Sequence, residues 1–105
     1  MSLCRDVTII VYNYNHSMSS DEEKYIIAFG KSLRMMRKNI LNKSLRLFAY
    51  ETDVPRSTLC RLENGQRQAT IISLKRLANG FNLTLDEFLK EIEKNIPDDI
   101  KNFDV

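Results

Sequence analysis

Cysteine, histidine, glycine and proline are all scarce in this chain of 105 residues, and tryptophan is absent. The two cysteines, Cys4 and Cys60, stand 56 positions apart and outside any Cys-x-x-Cys pair. Their spacing predicts neither a disulfide framework nor a zinc site, and it is typical of a reducing compartment. The single histidine, His16, has no evident partner for metal binding or for catalysis. We therefore expect neither a metal nor a cofactor.

Patterns typical of enzymes and of membrane proteins are also missing. We find no nucleophile–base pair, no glycine-rich phosphate loop and no spacing of metal ligands. No apolar run approaches the roughly 20 residues of a membrane helix. The apolar stretch 7–12 is too short to cross a membrane and precedes no cleavage site of small residues. The sequence therefore predicts a cytoplasmic protein that is not an enzyme.

The chain is long enough for one globular domain with some residues to spare. Residues 1–19 are rich in Asn, Tyr and Ser and contain a β-prone run, so we expect an N-terminal arm with a candidate strand. This arm could also be an upstream extension of the reading frame, with Met18 as the true start. A helical domain is predicted over residues 20–93 and a C-terminal tail over residues 94–105.

Basic residues are concentrated in the middle of the chain. From Lys24 to Phe81 there are twelve Lys and Arg against three acids, whereas the flanking segments 1–23 and 82–105 have balances of −3 and −4. A basic centre is the electrostatic signature of a polyanion-binding surface, although it is equally typical of a solvated helical face. Charge alone leaves both interpretations open.

Helical periodicity and capping residues predict five helices. The first is expected to begin at the capping box Ser20–Glu23 and to run to about Asn39. Its apolar positions share one helical face and are Ile26, Phe29, Leu33, Met36 and Ile40. The later helices are expected to be capped by Ser44, by Thr70 and by the box Thr84–Glu87, with a third helix over 55–63 ending at Asn64-Gly65. Ile71 is predicted to lie inside, on the core face of the fourth helix.

The second and third predicted helices are joined by a short break, Thr52-Asp53-Val54-Pro55, which gives a helix-turn-helix arrangement. Advancing about 100° per residue places Arg56, Ser57, Cys60 and Arg61 on one side of the third helix, and Leu59 and Leu62 on the other. Two guanidinium groups and a hydroxyl suit the reading of base edges in the major groove rather than catalysis.

Taken together and in this order along the chain, these sequence features resemble the Cro/repressor (Xre-type) helix-turn-helix family over residues 29–90. The resemblance is carried by Phe48-Ala49, by Asp53-Val54, by the run from Leu59 to Gly65 and by two later segments that match the following helices. It implies an all-α, five-helix domain that binds double-stranded DNA.

The resemblance also implies roles for individual residues. The expected base-reading residues are Arg56, Ser57 and Arg61. The family meets the phosphate backbone at the positions of Ser44, Asn64, Arg67 and Gln68, and Lys43 and Arg46 lie near enough to add to these contacts. Arg37 and Glu63 match a structural ion pair inside the domain. The last helix, through Leu85, Phe88, Leu89 and Ile92, is expected to form a homodimer.

Three positions depart from the commonest family pattern. Leu45 replaces a glutamine that touches DNA, Asp53 replaces the glycine of the turn, and the connection before the second helix is one residue longer. The recognition helix is unaffected by these departures, and the DNA contact at the position of Leu45 is expected to be missing.

Two functional hypotheses remain. The first is a sequence-specific transcriptional regulator, most simply a repressor: a phage-type repressor, a controller of a restriction–modification operon or a host regulator. The second is an antitoxin whose chief partner is a toxin protein and which binds DNA to regulate its own operon. The acidic segment 82–105 and the arm 1–19 are the features that could serve such a protein partner.

Overall fold

Helices provide all the regular structure of residues 19–102, which are the residues that the computed structural model describes. They are α1 Ser20–Met36, the π-helical turn Arg37–Leu41, α2 Leu45–Thr52, α3 Arg56–Glu63, α4 Ile71–Gly80, α5 Leu85–Lys94 and α6 Asp98–Lys101. The predicted all-α class is confirmed, with one short helix more than the five expected. Apart from Ser19, the predicted arm 1–19 and its candidate strand lie outside the described residues. Within 19–102 no helix is long and apolar enough to cross a membrane.

Short polar side chains set the starts of four helices. Ser44, Thr70 and Thr84 each accept a hydrogen bond from the backbone N–H three residues later, as predicted. At α1 the capping box is formed by Ser19 and Glu22 rather than by Ser20 and Glu23. Each serine has an acid three residues later, so the sequence alone allows both registers, and the structure adopts the earlier one.

The π-helical turn shifts the register of the apolar face at the end of α1. Met36 is buried, but Ile40, predicted to share its face, is 60% exposed, and Leu41 packs against the core instead. A π-helical turn holds one residue more than an α-helical turn, so the next inward position after Met36 falls five residues later rather than four. The turn ends at Asn42, whose backbone is left-handed with φ 54°.

The core lies between α1, α2, α3, α4 and α5, and three phenylalanines pack together within it. The ring of Phe81 lies 5.1 Å from that of Phe48, in an edge-to-face arrangement, and 5.7 Å from that of Phe88, in a stacked one. Ile71 was predicted to lie inside but is 63% exposed. On α4 the buried residues begin one turn later, with Leu74 partly buried and Leu77 fully buried.

Residues 94–102, predicted as a tail, belong to the packed domain. Ile96 is buried and Ile100 packs against the core, while Pro97 precedes the short helix α6. Lys101 donates to the backbone carbonyl of Glu93 at 3.2 Å. The side chain of Glu93 also accepts a 2.5 Å hydrogen bond from the Tyr25 hydroxyl, and burial together with this carboxylate raises the pKa of Tyr25. The packed domain therefore extends beyond residue 93.

Candidate nucleic-acid interface

A sharp turn of three residues separates α2 from α3. Asp53 has the left-handed backbone that its position in the turn requires, with φ 60°. Val54 is buried beneath the turn, and Arg76 of α4 donates to the Asp53 carbonyl at 3.2 Å. Pro55 is the N-cap residue rather than the first helical one, so the predicted helix 55–63 begins at Arg56. The turn holds α3 across the end of α2.

The two sides of α3 differ sharply in burial. Leu59 and Leu62 are fully buried, whereas Arg56 and Ser57 are exposed and Arg61 is partly exposed. The Nε atom of Arg61 is buried without a hydrogen-bond partner, which leaves the outer end of the guanidinium as its accessible part. The three predicted base-reading residues therefore share the solvent side of α3.

Cys60 differs from its sequence-based prediction in two respects. It was placed on the outward side of α3, but it is buried, with the Asn64 side-chain amide 3.5 Å from its sulfur. A helical wheel gives the direction of a side chain but not how deeply its neighbours cover it. Cys60 is also disulfide-bonded, against the expectation of reduced cysteines. That expectation depended on separation along the chain, which adds little to the entropic cost of bringing two residues together.

The side chain of Arg37 connects three segments around the C-terminal end of α3. Its Nε and Nη2 atoms donate to the two carboxylate oxygens of Glu63 at 2.8 and 2.9 Å, and both side chains are almost completely buried. Its Nη1 atom donates to the backbone carbonyl of Lys43 at 2.7 Å, just before α2. This bidentate geometry fixes α3 relative to α1 and to the start of α2.

A glycine that sequence reasoning did not single out lets α1 approach α3 closely. A Cβ atom on Gly30 would lie 2.3 Å from the carbonyl oxygen of Leu62 and 2.7 Å from that of Glu63. Gly65 meets α1 one turn earlier, where its Cβ would lie 2.8 Å from Cγ1 of Ile27. Gly65 also has the left-handed φ of 71° that ends α3 as predicted. The only sequence signal for Gly30 was a glycine within a helix.

The predicted phosphate-contacting residues lie at the two ends of α3. Ser44, whose hydroxyl is used in capping α2, follows Lys43, whose carbonyl Arg37 holds beside the C-terminal end of α3. The exposed Arg46 instead lies beside Arg56 at the N-terminal end. The Nζ atom of Lys43 lies 2.5 Å from a carboxylate oxygen of Glu51, so its charge is partly neutralised and less available to a phosphate. At the C-terminal end the exposed residues are Asn64, Arg67 and Gln68, which follow the last turn of α3. The exposed face of α3 therefore lies between two polar and basic segments.

Two of the four predicted dimerisation residues are in the core of the single chain. Phe88 and Ile92 are fully buried, so neither can form part of an interface without unfolding the domain. Apolar residues at helical spacing fit a core and an interface equally well, which is why the sequence did not separate them. Leu85 and Leu89 are only partly buried. Ile71 and Ile72 of α4 are more exposed, at 63% and 58%.

Comparison with known proteins agrees with this geometry. The sequence model of the helix-turn-helix family matches residues 33–88, which is more than half of the chain. The control protein C.MunI of a Mycoplasma species is 34% identical over 68 residues, covering 65% of this chain and 92% of the relative. No solved structure matches significantly. The chain therefore belongs to the Cro/repressor (Xre-type) helix-turn-helix family and is a DNA-binding transcriptional regulator.

Proposed function

We propose that the protein is a sequence-specific repressor that reads the major groove with α3 and binds a two-fold symmetric site as a homodimer. The observation that carries this proposal is the placement of Arg56, Ser57 and Arg61 on the solvent side of a helix whose opposite side is buried. An α-helix fits the width of the major groove, and arginine can donate two parallel hydrogen bonds to guanine. Such a protein would repress by occupying promoter DNA in the cytoplasm.

The flanking residues support the same docking geometry. Arg46 lies near the N-terminal end of α3 and Arg67 just beyond its C-terminal end, so both can meet phosphates when α3 lies in the groove. Phosphate contacts set the register of a protein on DNA, whereas base contacts supply the specificity. The buried pair Arg37–Glu63 acts as a positioning element for α3.

Substitutions in α3 and in the following loop should have different effects. Arg56→Ala and Arg61→Ala should each cost about 1–3 kcal/mol per half-site of the selected site and relax specificity at one base pair of each half-site. Arg67→Ala should weaken binding to all sequences alike and lower the salt dependence. The measurement is fluorescence anisotropy with a site selected from random DNA and with random DNA itself. If both α3 variants left the ratio of specific to random affinity unchanged, α3 would not be the reading helix.

The small size of the module and its exposed apolar side chains support the proposed dimer. A single helix-turn-helix buries little surface on DNA, and dimers that bind half-sites one helical turn apart are the usual solution. Ile71, Ile72, Leu85 and Leu89 supply apolar surface on α4 and α5, and Leu74 and Leu89 line one depression of about 260 Å³. We propose that this surface, rather than Phe88 and Ile92, forms the interface.

The variant Ile71→Glu with Ile72→Glu should be monomeric at micromolar concentrations where the wild type is a dimer, because two charges would be buried without partners. Sedimentation equilibrium measures this directly. Ile40→Glu is the control, since Ile40 is equally exposed but lies at the end of α1. A wild-type protein that stayed monomeric and bound a palindromic site no better than a half-site would exclude the dimer.

The relative from Mycoplasma is a control protein, which favours a regulator over an antitoxin as the main role. The antitoxin alternative makes a distinct prediction. A second small protein, encoded beside this one, would co-purify with it in constant stoichiometry. Co-purification of such a partner would replace the repressor proposal.

A further inference from the structure

The outward face of α1 and of the π-helical turn that follows it carries cations that the helix-turn-helix itself does not use. Lys31, Arg34 and Lys38 are exposed, and within the described residues 19–102 none of them takes part in an ion pair. We call these three residues the α1 basic stripe. The acids of α1 are confined to its first turn, at 21–23. The stripe is therefore a patch of one sign along the second half of the helix.

The contacts of α1 show that this stripe lies beside the end of α3. Gly30 approaches the carbonyl oxygens of Leu62 and Glu63, and Ile27 lies against Gly65, so the side of α1 between Gly30 and Ile27 faces the C-terminal turn of α3. At about 100° per residue, Arg34 projects between these two directions, one turn further along. Lys31 projects about 40° beyond Ile27. Lys38 follows in the π-helical turn. The stripe thus lies beside the C-terminal turn of α3, whereas Arg67 lies against the first half of α1, near Ile26 and Phe29.

No acid within residues 19–102 forms an ion pair with the stripe. The acids of α2 and α3, Glu51 and Glu63, are engaged by Lys43 and Arg37. Lys31, Arg34 and Lys38 have long side chains that can extend well beyond the helix surface towards a phosphate. A row of exposed cations beside a recognition helix matches the charge of a DNA strand that leaves the major groove.

We propose that the α1 basic stripe is an additional phosphate-binding surface that extends the DNA contact beyond the helix-turn-helix. This inference rests on the proposed function, since it needs α3 to lie in the major groove. It assigns to Lys31, Arg34 and Lys38 a sequence-independent contribution to affinity. It also makes the first helix, and not only the second and third, part of the DNA-binding surface.

The test compares two variants of equal charge in the full chain. Lys31→Gln with Arg34→Gln removes two cations of the stripe, and Lys90→Gln with Lys94→Gln removes two exposed cations of α5. Each lost phosphate contact should lower the slope of log K against log salt by about 0.9 and the affinity at 0.1 M salt about eightfold. The stripe variant should therefore bind both the selected site and random DNA about 60-fold more weakly for each bound protomer, and the α5 variant should bind almost as the wild type does.

The charge-preserving variant Lys31→Arg with Arg34→Lys should keep the wild-type slope, since phosphate binding needs the charge more than the shape. Equal slopes for the stripe and α5 variants would overturn the inference, because they would show an effect of net charge alone. Loss of affinity for the selected site only would also overturn it, because it would indicate base contacts. A wild-type protein that bound no DNA at low salt would instead remove the proposed function, and this inference with it.

Discussion

Glu63→Gln should unfold at a much lower denaturant concentration than the wild type, with a loss of about 3–5 kcal/mol. The substitution keeps the size of the side chain but removes its charge, and the Arg37 guanidinium then stays buried beside a neutral amide. Breaking a buried pair by removing one partner is costly because the remaining charge cannot reach water. Urea unfolding followed by circular dichroism measures the loss.

The exposed pair Lys43–Glu51 provides the control for this experiment. Glu51→Gln removes the same charge at a site open to water, and its cost should be within about 1 kcal/mol. The double variant Arg37→Met with Glu63→Gln should recover part of the loss, since it leaves no buried charge. A Glu63→Gln protein with unchanged stability but no DNA binding would contradict the structural role and would place Glu63 at the DNA.

Gly30→Ala should also destabilise the domain, although helix propensity alone predicts the opposite. In an exposed helix interior, alanine is favoured over glycine by about 1 kcal/mol. Here the added Cβ would lie 2.3 Å from a backbone carbonyl oxygen of α3, so one of the two helices must move. Overpacking of this kind typically costs about 1–3 kcal/mol, and more where only backbone can give way.

Asn79→Ala is the control for helix propensity, because Asn79 is exposed on α4 and should gain stability from alanine. If Gly30→Ala moves α3 away from α1, binding to the selected DNA site should fall together with stability. Differential scanning calorimetry and anisotropy on the same samples measure both effects. A Gly30→Ala variant that was more stable than the wild type would show that the close approach of α1 to α3 is not a constraint.

The parts of the fold that short-range chemistry determines were predictable from the sequence. Ser44, Thr70 and Thr84 cap helices because a hydroxyl reaches a backbone N–H three residues away, whatever surrounds it. Asp53 takes a left-handed turn for an equally local reason. The first capping box could form in two registers that differ by one residue, and local chemistry alone does not distinguish them.

Features that depend on two distant segments were not predictable in the same way. The approach of Gly30 to Leu62 joins positions far apart in the sequence, and no periodicity indicates it. Phe88 and Ile92 were assigned to a dimer interface, but they are buried in the core. Their helical spacing indicates that other residues cover them, and it does not show whether those residues belong to the same chain or to a partner. The solvent side of α3, which carries Arg56 and Ser57, was easier to predict, because polar and apolar residues separate clearly on so short a helix.

The π-helical turn Arg37–Leu41 offers an explanation for the connection that is one residue longer than the commonest family pattern. The additional residue is accommodated as a bulge within the helix, so Arg37 still reaches Glu63 and Ser44 still caps α2. A change in chain length is thereby confined to one turn that carries the exposed Ile40. A residue gained or lost within this turn would therefore leave the position of α3 relative to α1 and α2 unchanged.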